Sequence, residues 1–224
     1  MKVLVLNGSP KAVSDTMRLT TAFVSGIQKE TQCDTEIIDV IKKNVRPCMG
    51  CFGCWAKGEG RCVQNDDQNE ILLSILQSDV IIWSFPLYCY SVPSNLKAVI
   101  DRLIPLVKLS MHEENGRVQH DALCDLSKKH FVVISGCGFP DWDGNFEGLR
   151  IQMANNFGDC TMVFVPETPI MNIPEVSQLA DALAEKFRQA GKEYGKTQTL
   201  SKETIALLET PMMPKEEYLK NVNR

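Results

Sequence analysis

Short runs of aliphatic and β-branched residues alternate with helical apolar patterns along most of the chain, and this alternation constrains the fold more than any other feature. "KVLVL" (2–6), "TEIIDV" (35–40), "DVIIWSFP" (79–86), "HFVVISG" (130–136) and "CTMVFVP" (160–166) read as strands. Leu19, Phe23 and Ile27 mark a helix over 14–29, and Ile71, Leu72, Ile75 and Leu76 mark another over 67–77. Leu96, Val99, Ile100, Leu103 and Val107 predict a helix over 93–107, and a further helix is expected near 145–157. Val176, Leu179, Leu183 and Phe187 mark a long helix after the last strand. Apolar strands joined by helices imply a parallel sheet buried on both faces. Right-handed crossovers then predict a doubly wound five-stranded α/β sheet, order 2-1-3-4-5, with helices on both faces. Such sheets bind ligands outside the carboxyl ends of their strands, at the switch point beside strand 1. The loops after strands 1, 3 and 4 are therefore the places to look for function.

The 224 residues are 44% hydrophobic and 23% charged, which suits one globular domain. We assign it residues 1–195, with a cysteine-rich loop (46–65) inserted after strand 2. The tail, 196–224, carries "KETIALLET" and then "PMMPKEEYLKNVNR"; it reads as a helical arm packed on its own subunit or on a partner. A net charge of −4 offers no basic face to nucleic acid. No apolar run reaches the roughly 18 residues of a membrane helix, and "MKVLVLNGSP" lacks a signal peptide's h-region. A cytoplasmic protein is expected, with no nucleic-acid or membrane partner. In that reducing compartment the nine cysteines do not read as a disulfide framework.

"NGSPKAVSDT" (7–16) joins strand 1 to its helix. Ser9, Lys11, Ser14 and Thr16 place hydroxyls and a cation where a helix exposes unpaired N–H groups, which is the local chemistry of a phosphate site. The same stretch also reads as an ordinary turn with Ser14 as N-cap. Neither G-x-G-x-x-G nor G-x-x-x-x-G-K-[ST] is present, which argues against a dinucleotide fingerprint or a Walker-type loop. "FPLYCYSVPSNLKAVIDR" (85–102) presents Tyr88 and Tyr90 on a loop bounded by Pro86 and Pro93, suited to the edge of a flat polar ring. In "SGCGFPDWDGNF" (135–146), Gly136 and Gly138 let backbone approach a ligand.

Together these stretches resemble the NADPH-dependent FMN reductase group of flavodoxin-like proteins, and in particular its iron–sulfur flavoprotein branch. The resemblance spans roughly 1–190 and implies bound FMN. It implies that Ser9, Lys11, Ser14, Asp15 and Thr16 hold the phosphate. Pro86, Leu87, Tyr88, Cys89 and Tyr90 would line the ring, with Gly136 and Cys137 on its other side. Lys11 stands where many relatives carry Arg, so it meets a phosphate as a point charge and not as a fork. The implied activity passes electrons from NAD(P)H through FMN to a small acceptor such as a flavin or quinone, in a homodimer or higher homo-oligomer. No catalytic side chain is assigned, because the redox chemistry belongs to the cofactor. A flavodoxin-type electron carrier without its own substrate is the first alternative.

"PCMGCFGCWAKGEGRC" carries Cys48, Cys51, Cys54 and Cys62 in the spacing C-x₂-C-x₂-C-x₇-C. Thiolates two residues apart, closed by a fourth, favour a 4Fe-4S cluster over zinc. The resemblance supports the same set, with a longer final spacing than is usual in the branch. A cluster would add a ferredoxin as a possible donor. An empty reduced loop and a zinc-stabilised binding module remain the alternatives. Cys33, Cys124 and Cys160 read as small buried apolar residues. Asp66 and Asp67 read as caps of the following helix. Asp101 and Arg102 resemble a pair in the family, with a structural role.

Overall fold

The computed structural model describes residues 1–57, 60–114, 116–123, 125–126 and 128–223. Strand β1 (Lys2–Asn7) leads into α1 (Asp15–Glu30) and β2 (Asp34–Asp39). The short α2 (Gly53–Ala56) lies in the cysteine loop, and α3 (Gln68–Gln77), β3 (Val80–Pro86) and α4 (Ser94–Asp101) follow. A hairpin of β4 (Val107–Glu114) and β5 (Arg117–Ala122) precedes β6 (His130–Gly136), α5 (Glu147–Phe157) and β7 (Thr161–Val165). The chain ends in α6 (Ser177–Thr197), α7 (Lys202–Leu208) and α8 (Lys215–Val222).

Five strands form one parallel sheet in the order β2-β1-β3-β6-β7. This is the expected 2-1-3-4-5 order, with β6 and β7 as the fourth and fifth strands. Because side chains alternate across a strand, each central strand feeds two cores. Leu4, Leu6, Ile81, Trp83, Phe85 and Val133 pack under α3, α4 and α5. Val3, Val5, Val80, Ile82, Val132 and Ile134 pack under α1 and α6. Helices α1 and α6 cross at glycines: a Cβ on Gly26 would strike the backbone at Arg188 and Gly191, and one on Gly191 would strike Phe23. α1 starts where expected, with Ser14 Oγ accepting the Met17 N–H at 3.2 Å.

The helix expected over 93–107 is shorter. α4 stops at Asp101, and a 3-10 turn, Ile104–Leu106, follows. Pro105 has no N–H to donate to the carbonyl of Asp101, and its ring crowds that carbonyl, so the α-helix does not continue through this segment. Val107 instead begins the antiparallel hairpin, which the sequence reading missed; Gly116 sits in its turn at φ +75°. In α6 the buried stripe is Ala180, Leu183, Phe187, Ala190 and Tyr194. Leu179, expected in that stripe, is exposed, because the helix begins at Ser177 and its inward face falls on Ala180. Cys33 and Cys160 are only half-buried, and Cys124 lies outside the described residues. α7 and α8 pack on their own chain: Glu209 Oε1 accepts the N–H of Phe164 on the edge strand β7 at 2.9 Å. Among the described residues no helix is long and apolar enough to cross a membrane.

Candidate functional site

A cleft opens at the carboxyl ends of β1, β3 and β6. Ser9, Lys11, Ser14, Asp15 and Thr16 line one end of it; Pro86, Leu87, Tyr88, Gly136, Cys137, Gly138, Thr168 and Pro169 line the rest. The space in it that a water-sized sphere can reach is about 80 Å³, so it is a narrow groove, smaller than the roughly 300–1,000 Å³ of a full small-molecule pocket.

The loop after β1 is fixed by its own polar groups. The N–H of Gly8 donates to Ser84 O at 2.8 Å. Asn7 Oδ1 accepts the N–H of Ser9 at 3.0 Å, and Asn7 Nδ2 donates to Asp39 Oδ1 at 2.9 Å. The Lys11 N–H donates to Ser9 Oγ at 3.3 Å, and Ser14 Oγ lies 3.0 Å from Thr16 Oγ1. These bonds draw the hydroxyls together at the N-terminus of α1, where the first-turn amides lack helical partners and the dipole favours an anion. Lys11 Nζ meets Asp15 Oδ2 at 3.2 Å, and Asn172 donates to the other Asp15 oxygen. A carboxylate would repel an anion at this end of the cleft, so the geometry suits Asp15 to orienting Lys11.

The opposite wall is rigid. The Leu87 N–H donates to Gly136 O at 2.7 Å. Tyr88 and Ser91 exchange backbone bonds at 3.0 Å, and between them Cys89 and Tyr90 sit at φ +47° and +63°. Two adjacent positive φ angles on non-glycine residues carry strain, and strain of this kind clusters at ligand clamps. The turn leaves Tyr88 in the cleft wall and carries Cys89 and Tyr90 beyond its lining; Tyr90 stacks on Phe139 at 6.3 Å and 9°. Gly136 has a packing reason besides ligand approach: a Cβ there would lie 2.5 Å from Thr168 Cγ2. Burial pushes the Cys137 thiol up, so it remains a neutral lining group.

Sequence reasoning missed Thr168 and Pro169. They follow β7 and form the floor of the cleft, held by Thr168 N–H and Oγ1 bonds to Cys137 O at 3.0 and 3.2 Å. The "ETP" after the last strand, a Pro-containing turn at the same sheet edge, was the available signal.

The four cysteines line a second cleft with Met49, Phe52, Gln64, Asp101, Arg102, Ile104 and Pro105. It shares no lining residue with the first, and Asp101, the last residue of α4, belongs to its lining. Cys48 and Cys51 are exposed, while Cys54 and Cys62 are half-buried. Burial, with the nearby Cys62 and Cys51, pushes the Cys54 thiol up. Among the described residues no three Cys, His, Asp or Glu side chains converge closely enough to hold a metal ion. The donor set suits an iron–sulfur centre, but the described loop does not gather it around one point. Behind it, Arg102 donates to Asp66 Oδ2 and Oδ1 at 2.6 and 2.8 Å and to Arg46 O at 2.9 Å. Asp66 is therefore the buried counterion of Arg102 more than a helix cap, while Asp67 accepts the Asn44 N–H at 2.7 Å.

Residues 1–119 match the family model for NADPH-dependent FMN reductase. The chain is 31% identical over 195 residues to an iron–sulfur flavoprotein of Archaeoglobus fulgidus, covering 84% of this chain and 80% of that one. It is 38% identical over 106 residues to an iron–sulfur flavoprotein of Methanocaldococcus jannaschii, covering 47% of this chain and 53% of its relative. The chain thus spans about half the length of the Methanocaldococcus protein. Among solved structures it resembles the NAD(P)H:quinone oxidoreductase of Methanothermobacter marburgensis, with a TM-score of 0.62 at 17% identity, covering 86% of this chain and 98% of that one. It also resembles an FMN-dependent NADH-azoreductase of Bacillus anthracis in complex with FMN, with a TM-score of 0.61 at 19% identity and coverages of 87% and 99%; these two likenesses speak to the fold. Taken with the sheet order and the sequence matches, the chain belongs to the NADPH-dependent FMN reductase family.

Proposed function

We propose that the protein is an FMN-dependent oxidoreductase that takes electrons from NAD(P)H and delivers them to a small acceptor such as a quinone or a flavin. The observation that carries this reading is the cleft itself. One end gathers hydroxyls, Lys11 and a helix N-terminus, and Pro86, Leu87, Tyr88, Gly136, Cys137 and Thr168 line the rest at the sheet's switch point. Ser9, Lys11, Ser14 and Thr16 would hold the phosphate, with Asp15 orienting the lysine. Pro86, Leu87 and Tyr88 would bound one side of the ring and Gly136 and Cys137 the other. Cys89 and Tyr90 would act through the strained turn and the rim. Bound there, FMN supplies the hydride and electron chemistry. The chain's part is to fix the flavin, shield one of its sides and leave the Tyr88 and Tyr90 side open; both tyrosines are exposed.

The cysteine cleft extends the reading. Cys48, Cys51, Cys54 and Cys62 are the proposed ligands of a 4Fe-4S cluster, and a ferredoxin is the proposed alternative donor. The names of the relatives and the shared cleft support this set. Ligation would draw the exposed Cys48 and Cys51 in towards Cys54 and Cys62. A cytoplasmic homodimer or higher homo-oligomer completes the proposal. Its support is the eight free thiols among the described residues and the apolar strip of Leu109, Met111 and Val118 exposed on the hairpin.

Steady-state assays of the yellow protein with NADH or NADPH and a quinone test the activity. Turnover that depends on bound FMN is expected. Bound FMN without any NAD(P)H turnover would leave a carrier of the flavodoxin type.

A further inference from the structure

We propose that the C-terminal arm is a brace for the flavin cleft, and that Glu167 and Tyr218 are the positioning residues through which it acts. This rests on the flavin reading of the cleft.

Glu167 lies at the end of β7, immediately before the cleft-lining Thr168 and Pro169. It is fully buried and stands at φ +61°, a conformation that an ordinary residue holds only when its surroundings enforce it. Those surroundings come from the arm and from the loop after β6. Glu167 Oε2 accepts the N–H groups of Met212 and Met213 at 2.7 and 3.2 Å, and the Glu167 N–H donates to Phe139 O at 3.0 Å. Its other carboxyl oxygen is buried with no hydrogen-bond partner. A surface anchor for the arm would not need a carboxylate in such a place, since leaving a polar atom buried and unpaired is unfavourable. Burial, opposed by the two arm amides, pushes the Glu167 carboxyl up.

The second attachment reaches the opposite wall. Tyr218, on α8, is 2% exposed. Its hydroxyl donates to the carbonyl of Gly138, a cleft-lining residue, at 2.5 Å. Lys215 pairs with Asp141 on the same loop at 2.5 Å. Between the two attachments, Met213 and Tyr218 pack with Ile170 and Val176 in a small core of their own. Ile170 belongs to the 3-10 turn Thr168–Asn172, and that turn ends at Asn172, which donates to Asp15 beside Lys11. The arm therefore clamps the loop after β6 to the loop after β7 across the ring end of the cleft, and the second of these loops continues to the phosphate end.

The test measures FMN and riboflavin dissociation constants, the visible spectrum and midpoint potential of the bound flavin, and the melting temperature of the flavin-free protein. It uses the full chain and its variants Tyr218→Phe, Glu167→Ala and Glu167→Gln. Tyr218→Phe removes one hydrogen bond and is expected to weaken FMN and riboflavin alike by about five-fold, the equivalent of about 1 kcal/mol, with a shifted flavin spectrum. Glu167→Ala is expected to weaken both by about ten-fold or more, and Glu167→Gln, which keeps an acceptor oxygen for the arm amides, to restore most of the loss. Lower melting temperatures with unchanged flavin affinity, spectrum and potential would overturn the brace, and so would no change in any readout. If Glu167→Ala does not fold, Tyr218→Phe decides. A wild-type protein that binds neither flavin would sink the cleft reading itself, whereas wild-type binding that the variants leave untouched sinks only the brace.

Discussion

Replacing Asp66 by Asn should loosen the base of the cysteine loop and leave the flavin cleft in place. The side chains of Arg102 and Asp66 are 1% and 0% exposed, and both Asp66 oxygens take guanidinium N–H groups. Asp66 also accepts the Arg46 N–H at 3.0 Å, and Arg102 returns a bond to Arg46 O, so the pair fixes the chain just before Pro47 and Cys48. Burial disfavours the Asp66 charge, but Arg102 and the N–H groups of Arg46 and Gln68 outweigh it and hold the carboxyl at about 2. A carboxyl depressed from 3.8 to about 2 contributes roughly 2 kcal/mol of stability. The contribution is fully present above about pH 4 and is lost as pH falls from about 4 to about 2. Asp66→Asn removes it and leaves Arg102 buried without a counter-charge, a change that costs about 3–5 kcal/mol. Urea unfolding of wild type and variant from pH 3 to pH 7 should show the largest gap at neutral pH, narrowing as the medium becomes acidic. FMN content should stay unchanged and the cysteine loop should become more open to thiol reagents. A gap that is small at neutral pH, or that does not narrow towards pH 3, would refute the assignment of a buried ion pair at this position.

Three further outcomes are expected. Tyr88→Ala should weaken FMN and slow its reduction with little change in melting temperature, since Tyr88 is 42% exposed; a sharp drop in melting temperature with unchanged flavin binding would place it in the core instead. Gly136→Ala should destabilise the fold by about 1–3 kcal/mol, as overpacking does, and reduce flavin affinity, because the new methyl meets Thr168; calorimetry and flavin titration read both effects. Protein purified without oxygen should carry about four irons per chain, and Cys51→Ala should lose them while keeping FMN; no iron in the wild type would mean an unloaded loop.

The central sheet was legible because its signal is redundant. β1 and β3 are almost continuous apolar runs, and doubly wound topology leaves few orders for five such strands. That the hydroxyls and Lys11 of the loop after β1 gather at one end of the cleft was legible for the same local reason that Ser14 caps α1. The hairpin was not, because the spacing of Leu96, Val99, Ile100, Leu103 and Val107 carries a helical pattern past the point where Pro105 ends it. The alternation of Leu109 and Met111 with polar neighbours, followed by Asn115-Gly116, was the hairpin signal that pattern obscured. Thr168, Pro169 and Glu167 left only the weak signal of the "ETP" turn, for another reason. The place of Thr168 and Pro169 in the cleft and the burial of Glu167 beside them depend on the Cys137 carbonyl and on the arm, both far away in sequence, and no local periodicity reports such contacts. The buried pairing of Asp66 with Arg102 is likewise non-local, so Asp66 looked like a helix cap.

The loop after β1 is proposed to hold the phosphate of FMN. That assignment is tested most directly by titrating the flavin-free protein, wild type and the double variant Ser9→Ala/Thr16→Ala, with FMN and with riboflavin, which lacks the phosphate. The wild type should bind FMN far more tightly than riboflavin, and the double variant should lose most of that preference while its riboflavin affinity barely changes. Equal affinity of the wild type for the two flavins, or equal loss of both in the variant, would contradict the phosphate assignment.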